Sequence, residues 1–261
     1  MAIITLHRHG ASIGTPPSRT NGTASAKRSE IKGWSFDAIR RNIRFLRSIY
    51  EPDLTGYGYA LTLTLRRCPE SFEAWLRLRD VFIMRLRRLG MIRLHWVTEW
   101  QRRGVPHLHC ALWLPHTCNS DVLTSCWLAG LADQFGALPC GQTVVPIYGA
   151  IGWFKYVSKH AARGLYHYQR SPDAVPKHWA KTGRMWGRVG SWPTCDPSKV
   201  EISRYGGWVY RRLVRNWRIA DARAMRVKDA KDQLTRRRRI ASARRMLKCS
   251  DRCLSSVRGA S

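Results

Sequence analysis

The sequence predicts an α+β fold in which helices pack on a central antiparallel sheet, with a basic helical extension at the C-terminal end. Two segments, 57–65 and 106–114, alternate apolar and polar residues in the way of half-buried strands. Other segments repeat apolar residues every three or four positions, which indicates amphipathic helices. The order strand-helix-strand-strand-helix-strand-helix is typical of an antiparallel sheet covered by helices.

The boundaries of the elements follow from local signals. A helix over 34–50 ends before Pro52, and a helix over 70–89 ends at Gly90. Residues 165–200 are rich in Trp, Gly and Pro and are predicted to be mostly loop. The remaining predicted elements are strands over 92–101 and 142–148, and helices over 120–135, over 151–163 and from residue 204 onward.

Three regions are expected along the chain. Residues 1–33 are rich in Gly, Ser, Thr, Ala and Pro and are predicted to be a flexible N-terminal arm. Residues 34–200 hold the predicted sheet and the motifs described below. Residues 201–261 are predicted to be a basic helical region, since 204–261 carries 18 Lys and Arg against four Asp.

The net charge indicates the class of partner. The 261 residues include 46 Lys and Arg against 17 Asp and Glu, a formal charge of +29. This excess implies a polyanion, either nucleic acid or an anionic membrane surface. No apolar run approaches the roughly 20 residues of a membrane-spanning helix, and the N-terminus lacks a secretory pattern. A cytoplasmic protein that binds nucleic acid and no membrane is therefore expected, although the four arginines at 236–239 fit DNA backbone or any other polyanion equally well.

A carboxylate and two histidines lie close together in the sequence, at Glu99, His107 and His109. The histidines are two positions apart on a predicted strand, so both project from the face opposite its apolar residues. If 102–104 is a three-residue hairpin loop with Gly104 in the left-handed conformation, Glu99 pairs with His107 and shares its face. A four-residue loop would place Glu99 on the opposite face.

Two imidazoles and a carboxylate can hold a divalent cation and leave positions open for water or phosphate. Mixed nitrogen and oxygen ligands favour Mg²⁺ or Mn²⁺. Gln101 is the alternative oxygen ligand, and His95 lies farther along the same face. Two other interpretations are a structural histidine pair without metal, and a zinc site with Cys110 and Cys118, whose spacing is not a recognised one. The eight cysteines include no Cys-x-x-Cys and are expected to be reduced thiols.

Tyr156 and Lys159 lie three residues apart on a predicted helix and so share a face. Lys159 could stabilise a tyrosinate and neutralise a phosphate oxygen. The Tyr156 hydroxyl would face solvent or a substrate if other residues form the packed stripe of this helix, namely Ile151, Phe154, Val157 and Ala161. Tyr156 could instead belong to the core, and the nucleophile could be one of its rivals, Tyr148, Tyr166 or Tyr168.

At this point the sequence resembles a known family. It is similar to the HUH endonucleases at their metal motif, in EWQRRGVPHLHCALW (99–113), and at their Tyr-x-x-Lys motif, in YVSKH (156–160). It also resembles rolling-circle replication initiators of phages and plasmids, at YALTLTL (59–65) and GRMWGRVGSW (183–192). The resemblance covers about residues 55–195.

The resemblance implies a central antiparallel sheet with the histidines on its middle strands and the tyrosine on a facing helix. It implies a nickase for single-stranded origin DNA, in which His107, His109 and Glu99 hold Mg²⁺ or Mn²⁺. Tyr156 would attack the scissile phosphate, with Lys159 stabilising charge, and would become linked to the 5′-phosphate. The free 3′-hydroxyl would prime a host polymerase until reversal of the reaction rejoins the strand. Gly152, one turn before Tyr156, implies an enzyme with a single tyrosine.

Two alternatives to a replication initiator stay open. A transposase or conjugative relaxase would use the same chemistry, whereas a non-catalytic nucleic-acid-binding protein would only resemble these enzymes. The sequence has no Gly-x-x-x-x-Gly-Lys-[Ser/Thr] motif of P-loop motors, so unwinding is expected to need a host helicase.

Overall fold

The computed structural model describes residues 1–14, 30–161, 163–245 and 254–256. Contacts divide the chain into two units, of which one is Ala26–Thr194 and the other combines Met1–Ser25 with Cys195–Ser261. The strands are β1 (Ala2–His7), β2 (Gly10–Gly14), β3 (Tyr57–Thr64), β4 (Arg93–Trp100), β5 (Pro106–Leu114), β6 (Thr143–Ile147), β7 (Trp186–Gly190), β8 (Ser198–Ile202) and β9 (Leu254–Ser256). The helices are α1 (Phe36–Ser48), α2 (Phe72–Arg88), α3 (Ser120–Trp127), α4 (Gly149–Ala161), α5 (Arg204–Ala224) and α6 (Ala230–Arg245).

The larger unit is built on a five-stranded antiparallel sheet in the order β6-β3-β5-β4-β7. Every residue of the adjacent strands β4 and β5 is buried, because both faces of the sheet are covered. On one face, leucines of β3 and β5 pack against α2 and α3. On the other face, Ala111 and Trp113 of β5 pack with residues of α1 and α4 such as Phe45 and Trp153. The predicted α+β class with a central antiparallel sheet is therefore confirmed.

Side-chain caps begin three of the helices of the larger unit. The hydroxyls of Ser35 and Ser71 accept hydrogen bonds from backbone N–H groups at the start of α1 and α2, and Asn119 caps α3. The predicted helix over 120–135 is wrong beyond α3. Leu131 has a φ of 99°, outside the helical range, and the chain continues in short irregular turns.

The segment predicted to be loop contains the short strand β7 and the first residues of β8. β7 pairs with β4 and forms one edge of the large sheet. Gly187 in β7 lies directly against the Trp96 ring, where an added Cβ would come within 2.6 Å of a ring atom. Only glycine allows this close approach, but glycine is uncommon in strands. Gly187 therefore permits the strand and is also a reason why the sequence predicts a loop here.

The smaller unit contains a second antiparallel sheet in the order β8-β1-β2-β9. The sequence predicts a flexible arm over 1–33, but its first 14 residues instead form the hairpin of β1 and β2. The reason is burial of apolar side chains, since Ala2 and Ile13 pack against Val214 of α5. The rest of the predicted arm, over 15–29, lies outside the described residues.

The predicted basic helical extension is confirmed as α5 and α6. The arginine run at 236–239 lies within α6. Residues 246–253 and 257–261 of the predicted region lie outside the described residues. Among the described helices, none combines the length and apolar character needed to cross a membrane.

Candidate functional site

The site lies on the face of the sheet that α1 and α4 cover, where β4 and β5 are joined by the loop 102–104. Gly104 has a φ of 74°, the left-handed conformation that the three-residue loop requires. Gln101 N–H donates to Val105 O at 2.9 Å, and the register pairs Glu99 with His107. The predicted loop is therefore confirmed, and it brings Glu99 to the same face as both histidines.

Glu99, His107 and His109 form a buried group that could bind a metal ion. The two Nε2 atoms of the histidines lie 2.8 Å apart, and His109 Nε2 lies 3.3 Å from Glu99 Oε2. Ligands 2.0–2.1 Å from one ion lie about 2.9 Å apart when they subtend a right angle. The two histidine nitrogens therefore have the separation of adjacent ligands on an octahedral cation such as Mg²⁺ or Mn²⁺, and the Glu99 carboxylate lies close enough to complete the group.

Thr62 on β3 orients one of the histidines. Its Oγ1 lies 3.0 Å from His109 Nδ1, and when Nδ1–H donates to this oxygen, the lone pair is left on Nε2, facing Glu99. Burial lowers the pKa of His107 to about 3 and that of His109 well below its usual range. Both imidazoles are therefore neutral near pH 7, which is the form that binds metal ions.

Glu99 is also paired with two arginines. Arg170 Nε donates to Oε1 at 2.9 Å, and Arg163 Nη1 contacts Oε2. Arg170 is fully buried and additionally donates to Arg163 O at 2.6 Å and to His160 O at 3.1 Å. Its guanidinium also lies 4.4 Å from the centre of the Trp34 ring. Arg170 thus ties the segment after α4 to the carboxylate of the candidate metal group.

The other candidates for metal ligands have different partners. Gln101 Oε1 accepts from Arg103 Nε at 2.8 Å in the hairpin loop. His95 Nε2 lies 2.7 Å from Asn42 Oδ1, and its Nδ1 lies 2.9 Å from Tyr156 Oη. Cys110 is buried in the core on the opposite face of β5. Of the residues proposed from the sequence, the structure therefore brings Glu99, His107 and His109 together.

The predicted solvent-facing position of Tyr156 is wrong. The Tyr156 side chain is 6% exposed, whereas Ile151, which was expected to pack, is 72% exposed. The buried side of α4 is formed by Trp153, Tyr156, Val157 and His160. The large aromatic ring of Trp153 removes more apolar surface from water than Ile151 could, and this places Tyr156, three residues later, on the packed side.

The Tyr156 hydroxyl belongs to a buried hydrogen-bonded chain with His95 and Asn42. Because Asn42 Oδ1 accepts from His95 Nε2–H, the neutral ring has no proton on Nδ1, which accepts from the Tyr156 O–H. Burial raises the pKa of Tyr156 well above its ordinary value. The phenol is therefore protonated, and its hydroxyl donates to His95.

His160 lies close to both Tyr156 and the candidate metal group, and the charge of Lys159 acts on the two histidines of that group. The His160 ring centre lies 4.5 Å from that of Tyr156 and 5.1 Å from that of His109. Among the described residues, neither ring nitrogen of His160 has a hydrogen-bond partner, and Nδ1 lies 3.9 Å from Glu99 Oε1. Lys159 is exposed, yet its charge contributes to the lowered pKa of His107 and His109.

The three rival tyrosines are exposed. Tyr148 is 78% exposed, Tyr166 is 90% exposed and Tyr168 is 46% exposed. Tyr168 lies under the guanidinium of Arg102, whose central carbon is 4.8 Å from the ring centre. Exposure alone would let each of them meet a DNA strand, so the choice between Tyr156 and its rivals depends on experiment.

The residues of the site that were not predicted from the sequence include Arg163, Arg170 and His160, in addition to Thr62 and Asn42. His160 could have been predicted from its spacing, because it lies one helical turn after Tyr156 and therefore on the same side of α4. No sequence pattern identifies Arg163 or Arg170, since each is one of many arginines in this basic chain and contacts Glu99 across more than 60 residues.

Fold and site together define a class, a strongly basic α+β protein with a buried histidine–carboxylate group that could bind a metal ion. Residues 58–161 match the family model described as a replication-associated protein of the ORF2 type. The replication-associated protein of Pseudomonas phage Pf3 is 48% identical over 243 residues, covering 90% of this chain and 87% of the phage protein. A protein of Xylella fastidiosa (strain Temecula1), whose name assigns it provisionally to replication, is 46% identical over 267 residues of alignment, covering 99% of this chain and 97% of that protein.

The chain therefore belongs to the replication-associated protein family. The predicted resemblance to replication initiators is therefore confirmed as far as membership of a replication-associated family. No solved structure matches the chain.

Proposed function

We propose that this protein is a metal-dependent nickase that starts rolling-circle replication of a phage or plasmid by attack of a tyrosine on single-stranded origin DNA. The observation that carries the proposal is the buried group of Glu99, His107 and His109, with its two Nε2 atoms 2.8 Å apart, in a member of a replication-associated family. The resemblance of the same segment to the HUH endonucleases supports the chemistry.

Each residue of the site would have a separate role in the cleavage of DNA. Glu99, His107 and His109 would hold Mg²⁺ or Mn²⁺, which supplies Lewis-acid polarisation of the scissile phosphate when bound. The Tyr156 oxygen would lose its proton and bond to phosphorus as the bond to the 3′ oxygen breaks, and the 3′ oxygen would take up a proton, giving a 5′-phosphotyrosine and a free 3′-hydroxyl. Lys159, exposed beside the histidines, would stabilise negative charge on the phosphate.

The burial of Tyr156 adds a requirement to this mechanism. Its hydroxyl contacts His95, and its ring packs against His160, which also packs against His109. The phenol must therefore leave its contact with His95 before it can reach a phosphate held beside Glu99. Binding of DNA in the host cytoplasm, with a host helicase separating the strands, would supply the free energy for this rearrangement.

A second candidate function is DNA binding at the origin without cleavage. Two observations favour it. Tyr156 is buried and protonated, and Glu99 is paired with two arginines, so the proposed nucleophile and the proposed metal ligand both have protein partners. A transposase or relaxase would use the same site, but the family and the relatives carry names from replication.

A covalent-adduct assay tests the proposal. The protein would be mixed with labelled single-stranded DNA that tiles the replicon carrying its gene, with Mn²⁺ or Mg²⁺, and separated on a denaturing gel. We expect a slowly migrating protein–DNA species that is lost with chelator, in Tyr156→Phe, and in the His107→Ala, His109→Ala double variant. Tyr148→Phe, a matched loss of one hydroxyl, should leave the species intact.

The outcomes separate the candidates. An adduct that persists in Tyr156→Phe would move the nucleophile to Tyr148, Tyr166 or Tyr168. An adduct that forms at the wild-type rate without His107 and His109 would refute the metal assignment. Tight DNA binding with no adduct anywhere on the replicon would favour the non-catalytic function.

A further inference from the structure

One oxygen of Glu99, Oε2, faces both Arg163 and the histidines of the candidate metal group. It cannot keep its contact with Arg163 and also bind a cation. Oε2 contacts Arg163 Nη1 and is also the oxygen that lies 3.3 Å from His109 Nε2. A cation held by this carboxylate and by the histidines would approach Oε2 from the histidine side. Its positive charge would then face the guanidinium of Arg163 across one oxygen, and the two would repel each other.

The two arginines on Glu99 differ in how firmly they are held. The Arg170 side chain is fully buried, uses the other oxygen, Oε1, and donates to two backbone carbonyls. The Arg163 side chain is 17% exposed, and the contact described for it as a donor is the one to Glu99. Arg170 is therefore a fixed anchor, whereas Arg163 can move toward solvent.

The charges around the site require an anion once a cation has bound. Glu99 is the carboxylate of the group, and the cations near it are Arg170, Arg163 and Lys159. Burial lowers the pKa of Arg163 to about 10, so this side chain stays charged near pH 7. A divalent cation would add two positive charges to a buried site that already has an excess of them. A phosphodiester of single-stranded DNA is the anion that the proposed function supplies.

We propose that Arg163 exchanges partners, pairing with Glu99 Oε2 in the absence of a cation and with a backbone phosphate of single-stranded DNA when a divalent cation takes that oxygen. Arg163 would then be a phosphate-binding residue whose release couples metal binding to DNA binding. The inference rests on the single-stranded DNA substrate of the proposed function, but not on the identity of the nucleophile.

The exchange predicts that metal and DNA each strengthen the binding of the other. The coupling is reciprocal by thermodynamic necessity, and couplings between sites are typically about 5–150-fold in affinity. Arg163 would oppose the metal in the free protein, because both compete for Oε2. Removal of its charge should therefore have opposite effects on the two ligands, strengthening the binding of metal and weakening that of DNA in the presence of metal.

Mn²⁺ binding measures this directly, because free Mn²⁺ is observed by electron paramagnetic resonance. The full-length protein would carry Tyr156→Phe to prevent cleavage, and Mn²⁺ would be titrated with and without a short oligothymidylate. We expect the oligonucleotide to tighten Mn²⁺ binding at least about 5-fold. Adding Arg163→Gln should tighten Mn²⁺ binding without DNA and reduce the effect of the oligonucleotide. Lys155→Gln is the matched control, since Lys155 is an exposed cation of α4 with no described contact to Glu99, and its loss should change neither quantity.

A second variant keeps the test decisive if Arg163→Gln does not fold. Glu99→Gln, also with Tyr156→Phe, frees Arg163 while keeping its charge, and should bind the oligonucleotide more tightly without Mn²⁺ than the parent does. Unchanged or weaker Mn²⁺ binding in folded Arg163→Gln, or unchanged DNA binding in folded Glu99→Gln, would overturn the exchange. The proposed function fails separately, when the protein binds DNA tightly but forms no adduct anywhere on the replicon.

Discussion

Replacing Arg170 by methionine tests whether this buried guanidinium holds the site together. The side chain donates to Glu99 Oε1 at 2.9 Å and to the carbonyls of Arg163 and His160. Methionine has a similar length and apolar character, but it leaves both carbonyls without this donor and one carboxylate oxygen without its partner. Removing one member of a buried ion pair costs about 3–5 kcal/mol, and we expect this loss in the free energy of unfolding.

Thermal and urea unfolding, followed by circular dichroism and tryptophan fluorescence, would measure the loss. In a unit of this size, 1 kcal/mol shifts the thermal midpoint by about 2–4 °C, so the predicted decrease is about 6–20 °C. The double variant Arg170→Met, Glu99→Gln is the matched control. It removes the charge of both partners, so it should be more stable than Arg170→Met alone.

Two results would refute this reasoning. A loss below about 1 kcal/mol in Arg170→Met would mean that the contacts of the guanidinium contribute little to stability. A double variant whose loss is the sum of the two single losses would show that Glu99 and Arg170 are not coupled, since additivity is the mark of independent sites.

Three smaller changes test the supports of the site. Gly104→Ala should cost about 1–2 kcal/mol, because φ is 74° and a methyl group would meet no atom within 4 Å; an equal loss in Gly104→Asn, as judged by urea midpoints, would contradict a purely backbone cause. Thr62→Val removes the partner of His109 Nδ1 and should weaken Mn²⁺ binding about 10–100-fold by calorimetry, whereas unchanged affinity would exclude an orienting role. Tyr156→Phe leaves His95 Nδ1 unpaired and should cost about 1–3 kcal/mol in urea unfolding; full stability would mean that this buried bond contributes nothing.

The grouping of Glu99, His107 and His109 could be predicted from the sequence because it depends on local geometry. The period of two in a strand fixes the shared face of His107 and His109, and the left-handed glycine at 104 fixes the register that adds Glu99. The arginine partners of Glu99 could not be predicted in the same way. Their contacts span 64 and 71 residues and depend on how the segment after α4 returns to the sheet.

The orientation of α4 shows why a pattern of apolar residues can mislead. The interval of three or four residues allows either Ile151 with Phe154 or Trp153 with Tyr156 to form the packed side. The sequence predicts that the first pair packs, which would leave the Tyr156 hydroxyl facing solvent or a substrate. The structure buries the second pair and satisfies that hydroxyl with His95, which lies 61 residues away in the chain.

The nucleophile and the metal-binding carboxylate of the proposed nickase both have protein partners in the absence of DNA. Tyr156 is hydrogen-bonded to His95, and Glu99 is paired with its two arginines. Opening the tyrosine contact leaves buried His95 Nδ1 unpaired and costs about 1–3 kcal/mol, and exchange of Arg163 adds to this. Non-specific DNA binding at 10⁻⁴–10⁻⁶ M corresponds to about 5–8 kcal/mol, so DNA contacts outside the site can supply the difference. Shortening the DNA that flanks the nick should therefore lower the rate of adduct formation at saturating DNA, and not only the affinity. If short and long oligonucleotides react at the same saturating rate, Tyr156 does not depend on remote contacts for its release, and the buried contact with His95 opens on its own.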